Sequence, residues 1–224
     1  MARLPQVQGQ RGSKRLIQDL VNNSPERLSS EITRRLKLDD DDTIEWLSPL
    51  KDDEFAEYSD KDFLDRIGVS LQGVPLDGFW PKGGRGWDAL GKSKSGKLIL
   101  VEAKASVGEL KGGRLRATGE SREKIEWALQ RTRQFLESRS KHDWTAEFYQ
   151  YANRLAHLYL LRELNSLDAY LVFLYFTNEA IMNGPSSQGE WESAITMVKQ
   201  LLGIRHVHKL SPFIADVFID VNGD

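Results

Sequence analysis

Asp88, Glu102 and Lys104 stand out in the stretch WDALGKSKSGKLILVEAKAS, Trp87 to Ser106. The apolar run KLILV passes straight into Glu102, Ala103 and Lys104, so charged groups occupy positions where a buried strand is still running. A buried charge costs free energy unless it is paired or coordinated. Two facing carboxylates repel and raise each other's pKa, and a divalent cation reverses that effect. Mg²⁺ takes one or two carboxylates together with waters and substrate phosphate, and the backbone carbonyl of Ala103 offers a further oxygen. Mn²⁺ is the natural substitute. A lysine beside such a cation can orient an attacking water, stabilise charge developing on phosphorus oxygens or, at a depressed pKa, take a proton. The chemistry expected is metal-assisted phosphodiester hydrolysis, with Asp88 and Glu102 as ligands.

A hairpin would position these groups. Lys94, Ser95 and Gly96 suit a three-residue loop with Gly96 in its left-handed position. If Ser93 and Lys97 close that loop, Leu90 faces Leu100 and Asp88 faces Glu102, with Lys104 on the same face and Ile99, Val101, Ala103 and Ala105 on the other. A strand apolar on both faces is an interior strand.

Around the hairpin, helical and strand patterns alternate. SPERLSSEITRRLKL predicts a helix with Ser24 as cap and Pro25 at its first position. DDEFAEYSDKDFLDRI, Asp52 to Ile67, predicts an amphipathic helical segment with a break near Ser59, carrying Glu54 and Glu57. SREKIEWALQRTRQFLES predicts a helix behind a Ser121 cap, and DWTAEFYQYANRLAHLYLLREL another. DAYLVFLYF reads as a strand buried on both faces, EWESAITMVKQLLGI as a helix and PFIADVFIDV as a last strand. The expected class is α/β, with helices around a central mixed sheet.

An aspartate, a hairpin's length, then Glu-x-Lys at the end of a hydrophobic strand resembles the PD-(D/E)XK nuclease superfamily. Trp87-Asp88 stands for the PD and Glu102-Ala103-Lys104 for the (D/E)XK. Trp87 replaces the proline of the nominal pattern. The resemblance implies a restriction-endonuclease-like fold over residues 51–224, with residues 1–50 as an N-terminal arm and helical extension. It also implies an acidic residue on the helix before the hairpin, for which Glu57 is best placed with Glu54 and Glu45 behind it. A polar group on a later helix completes the implied set. Gln150, Arg154 and His157 form one stripe there, and Gln150 is the favoured member.

Composition neither supplies nor excludes this function. The chain has 224 residues, a formal net charge of -2 and no cysteine, which removes thiolate chemistry and fits a reducing, cytoplasmic setting. No apolar segment is long enough to span a membrane. Basic residues nevertheless crowd the segment from Lys82 to Arg116, an arrangement that suits a phosphate backbone. Asp39 to Asp42 reads as a solvated loop, His206 and His208 as surface residues, and Trp80 and Trp87 as packing residues. The glycines of KGGRG, before Trp87, suit either a flexible connection or close approach to a phosphate backbone. The expected partner is nucleic acid, DNA rather than RNA, with a homodimer as one way to cut two strands. The alternatives are a noncatalytic nucleic-acid or protein binding subunit on the same fold and, further off, a glycosidase using the acid pair.

Overall fold

The computed structural model describes residues 3–223. From the N terminus, strand Arg3–Leu4 (β1) leads into helices Gly12–Asn23 (α1) and Pro25–Leu36 (α2), then strands Ile44–Ser48 (β2) and Glu57–Tyr58 (β3). Helices Asp60–Ile67 (α3) and Leu76–Phe79 (α4) precede the hairpin of Ala89–Ser93 (β4) and Leu98–Lys104 (β5). Helices Val107–Leu110 (α5), Gly119–Phe135 (α6) and Tyr149–Arg162 (α7) follow, then strand Ala169–Thr177 (β6), helix Gln188–Leu202 (α8) and strand Ile214–Asp220 (β7).

Five strands form one sheet in the order β2-β4-β5-β6-β7. The pairings β2 with β4 and β4 with β5 are antiparallel, whereas β5 with β6 and β6 with β7 are parallel. Parallel strands need cover on both faces, and the composition of β5 and β6 reflects this: every residue of β5 is buried, as is all of β6 except Tyr170. On one face Leu90, Leu98, Leu100, Leu171 and Phe173 pack with α3, α6, α7 and α8; on the other Ile99, Val101, Val172, Leu174 and Val217 pack with α1 and α2. The molecule is therefore an α/β structure with a mixed sheet between two helical layers.

The first fifty residues, read from the sequence as an extension, form one of those layers and an edge strand of the sheet. Leu16, Ile17, Leu20, Leu28 and Ile32 are buried against it, each contributing about 1.5–3 kcal/mol of apolar burial. Three local expectations change. The helical segment expected over 52–67 is a 3₁₀ turn (Lys51–Asp53), then β3, then α3. Glu54, Phe55 and Asp60 have φ of 53°, 48° and 49°, values outside the right-handed helical region. Ser24 occupies the N-cap position of α2 without a capping bond, and Ser121 lies inside α6, whose N-cap residue is Thr118. Asp42 is buried rather than solvated, accepting bonds from Ser95 N (2.7 Å), Ser95 Oγ (2.7 Å) and Lys97 Nζ (2.8 Å). It ties the β4–β5 turn to the segment before β2. Among the described residues no helix is long and apolar enough to cross a membrane.

Candidate active site

The hairpin has the register counted from its loop. Ser93 N donates to Lys97 O (2.9 Å) and Gly96 N to Ser93 O (2.9 Å), with Gly96 at φ 92°, and Leu90 pairs with Leu100. Hydrogen-bonded pairs recur every second residue in an antiparallel ladder, so after Ser93–Lys97, Gly91–Ile99 and Ala89–Val101 the next would be Trp87–Ala103. It does not form. Trp87 N donates instead to Tyr58 O at 3.0 Å, and Ala103 N to Asp88 Oδ2 at 2.7 Å. Asp88 thus folds over the end of β5, and strand geometry points the Ala103 carbonyl into the same gap.

Glu102, 1% exposed, projects from β5 towards α7. Its Oε1 accepts from Lys104 Nζ and from Gln150 Nε2, and Lys104 Nζ also donates to Gln150 Oε1 at 3.2 Å. Its Oε2 accepts from Arg154 Nε at 2.6 Å. Arg154, 2% exposed, also donates to Gly86 O at 2.7 Å and lies over the Trp87 ring at 4.1 Å. Burial works to raise the pKa of Glu102, but Arg154 and Lys104 outweigh it and hold the carboxyl below its usual value. The stripe of α7 that could have been a solvated face thus turns towards the sheet, with Arg154 and His157 buried and Gln150 half-buried. His157 belongs to it as a packing residue: its Nδ1 lies 2.9 Å from Asn153 O and its ring packs against Trp80 and Trp87. Burial pushes its pKa down to about 4.

Asp88 has the opposite electrostatic situation. Burial, then the charge of Glu102, push its pKa up to about 7, with Lys104 offsetting only part. Glu57 is also raised, first by burial; the charge of Lys14 opposes the rise and Glu102 adds to it. Glu57 reaches this neighbourhood from β3, not from the helix expected for it. Gly86 permits the approach, since a Cβ there would stand 2.7 Å from Glu57 Cβ. The other acidic candidates do not join: Glu54 pairs with Arg3 at 2.8 Å, and Glu45 is an exposed residue opposite Lys92 in the β2–β4 ladder. His206 is exposed and His208 half-buried, away from the cluster. Two contributors escaped sequence reasoning. Arg154 was legible as a member of the stripe but not as the counter-ion of Glu102, and Lys14 gave no signal, because its proximity to Glu57 arises from the packing of α1.

The donors present fit a hard divalent cation. Among the described residues no three histidine, aspartate, glutamate or cysteine side chains are grouped as metal ligands. Mg²⁺, however, is typically held by one or two carboxylates with waters. Asp88, whose pKa is raised by burial and by the charge of Glu102, and the Ala103 carbonyl supply that partial set, with Glu57 adjoining. Glu102 retains only the lone pairs that Lys104, Gln150 and Arg154 leave free.

A cavity of about 430 Å³ adjoins Gln150 and Arg154. The Lys82–Arg85 segment forms one wall and is held in place: Gly83 N and Gly84 N donate to Asp60 Oδ2 and Oδ1 at 2.9 and 3.2 Å. Gly112 forms part of the opposite wall, where a Cβ would stand 2.8 Å from Gln150 Cβ. Trp80 and Trp87 are 3% and 1% exposed, so both pack as the sequence suggested. Comparison of the chain with models of known protein families, with curated proteins and with solved structures finds no match.

Proposed function

We propose that this protein is a Mg²⁺-dependent nuclease of the PD-(D/E)XK type, with a restriction-endonuclease-like core, which hydrolyses phosphodiester bonds in DNA. One observation carries the reading: Asp88 closes over the end of β5 beside Glu102, while Lys104 and Gln150 bond to Glu102 and to each other. A carboxylate with a raised pKa, a backbone carbonyl beside it and an adjoining lysine are what metal-assisted hydrolysis requires at a strand end.

Asp88 and the Ala103 carbonyl would hold the cation, with Glu57 and the remaining lone pairs of Glu102 facing it. When bound, the cation supplies Lewis-acid polarisation of the phosphoryl group and neutralises its charge. Lys104 contributes donors. An ammonium has three; Glu102 and Gln150 take two, which leaves one for an attacking water or a non-bridging phosphate oxygen. Gln150, bonded to both Lys104 and Glu102, fixes the direction of that third donor. Arg154 fixes Glu102 from the other side, so the carboxylate does not draw Lys104 away from the gap.

The test is cleavage of supercoiled plasmid and labelled oligonucleotides with Mg²⁺ or Mn²⁺. Wild type cuts, whereas Lys104→Ala and Asp88→Asn lose activity by roughly 100-fold or more. Full activity in Lys104→Ala refutes the assignment. A noncatalytic binding subunit is the second reading, and it draws on the internal neutralisation of Glu102 by Arg154 and Lys104. Calorimetric titration with Mn²⁺ separates the two, since such a subunit has no reason to bind metal through Asp88.

A further inference from the structure

We infer that the cavity beside Gln150 receives one unpaired nucleotide of the substrate strand, so that the protein acts on single-stranded or frayed nucleic acid in preference to closed duplex. The inference rests on the nuclease reading and specifies the form of its substrate. The cavity measures about 430 Å³, within the range of small-ligand sites and too small for a duplex, whose major groove alone is about 12 Å wide. It opens against Gln150 and Arg154, the two residues of α7 bonded to Glu102, so a strand threaded through it passes the candidate catalytic cluster.

Its lining has the three parts that hold a nucleotide. Lys82, Arg85, Arg114 and Arg116 stand on its rim with no acidic residue in the lining, and among the described residues none of the four is in an ion pair. Four cations outside any ion pair around one opening suit a phosphate backbone. Tyr149, half-buried, lies over Trp80 with ring planes 18° apart, an aromatic wall of the kind on which bases stack. Asn153 is 6% exposed and lines the same cavity; its amide is engaged with the Tyr149 hydroxyl, whereas its Oδ1 has no hydrogen-bond partner. A buried amide oxygen left unpaired costs about 1–3 kcal/mol, and a donor on a base edge would satisfy it. A base still paired in a duplex cannot reach that position.

Binding is measured by fluorescence anisotropy in EDTA, with the full chain, a labelled oligothymidylate, the matching oligouridylate, an abasic strand and a blunt duplex. Wild type should bind oligothymidylate at least about tenfold more tightly than duplex. Arg114→Ala with Arg116→Ala should lose about tenfold, and its slope of log affinity against log salt should shrink by about 1.4, about 0.7 for each contact on a single strand. Asn153→Leu should weaken oligothymidylate binding and leave the abasic strand unaffected; urea midpoints confirm that each variant folds. Tighter binding of oligouridylate than oligothymidylate would support the cavity and assign it to RNA. Equal affinity for single strand and duplex, or wild-type affinity in the arginine double variant, overturns the inference. Arginine-dependent single-strand binding without cleavage under any metal keeps the cavity and sinks the nuclease. Undiminished, Lys104-dependent cutting of blunt duplex by the arginine double variant does the reverse.

Discussion

Replacing Asp88 by asparagine should stabilise the metal-free protein at neutral and alkaline pH while abolishing its response to metal. An asparagine oxygen can still accept the Ala103 amide proton, so the bond at 2.7 Å survives and only the charge is lost. The carboxyl pKa moves from 3.8 to about 7 in the fold. Between those values the folded chain holds a proton that the unfolded chain has released. The stabilisation from that proton is therefore complete below the lower value and is lost as pH rises through the upper one. At about 1.4 kcal/mol per pH unit the loss approaches about 4 kcal/mol above pH 7. Between pH 5 and 7 at most about 2.7 kcal/mol of that loss remains, and because Asp88 is partly accessible, about 1–2.5 kcal/mol is the expected reading. Urea unfolding in EDTA, at intervals between pH 5 and about 8.5, should show wild type losing stability relative to Asp88→Asn across that span. Mg²⁺ should restore stability to wild type alone, by mass action. Parallel curves for the two proteins in EDTA would refute the picture of an Asp88 whose charge is disfavoured by burial and by Glu102.

Other consequences follow from the same cluster and its supports. Arg154→Ala strips the buried Glu102 of the counter-ion at Oε2 and leaves Lys104 alone to balance it, and should lower stability by about 3–5 kcal/mol in urea titration, with part recovered by adding Glu102→Gln. His157 is neutral in the fold, its pKa pushed from 6.5 to about 4 by burial. Its contribution is present above the ordinary histidine range and lost as pH falls through that window, so His157→Gln should flatten the acid limb of the stability profile. Asp42→Ala removes three bonds to the β4–β5 turn and should cost about 1.5–3 kcal/mol, seen as a lower urea midpoint and faster amide exchange at Ser95.

The central hairpin was legible because its register depends only on loop length and on counting residues outward from Gly96. The same holds for β6, whose run of branched and aromatic residues reads as buried from composition alone. Glu57 was misplaced for the opposite reason. Phe55, Tyr58 and Phe63 recur at spacings that a helix would also give, and the interruption comes from positive φ at Glu54, Phe55 and Asp60 together with pairing to Arg3 and Leu4, a partner more than fifty residues away. Asp42 was hidden in a run of four aspartates whose members are equivalent in sequence and not in space. Asp88, Glu102 and Lys104 could be grouped from the strand pattern. That both Gln150 and Arg154 would bond to Glu102 depended on the depth at which α7 packs, which no local pattern encodes.

The route by which Glu102 is satisfied also sets an order of events during synthesis. Asp88, Glu102 and Lys104 leave the ribosome together on one hairpin, but Gln150 and Arg154 come from α7, and the parallel neighbour β6 begins only at Ala169. Non-local pairings of this kind close late, because the loop entropy must be met before the contacts reward it. A nascent chain that ends before α7 carries the three motif residues without the groups that hold Glu102 in place. The cluster is thus latent until α7 and β6 have been made and have docked on the hairpin.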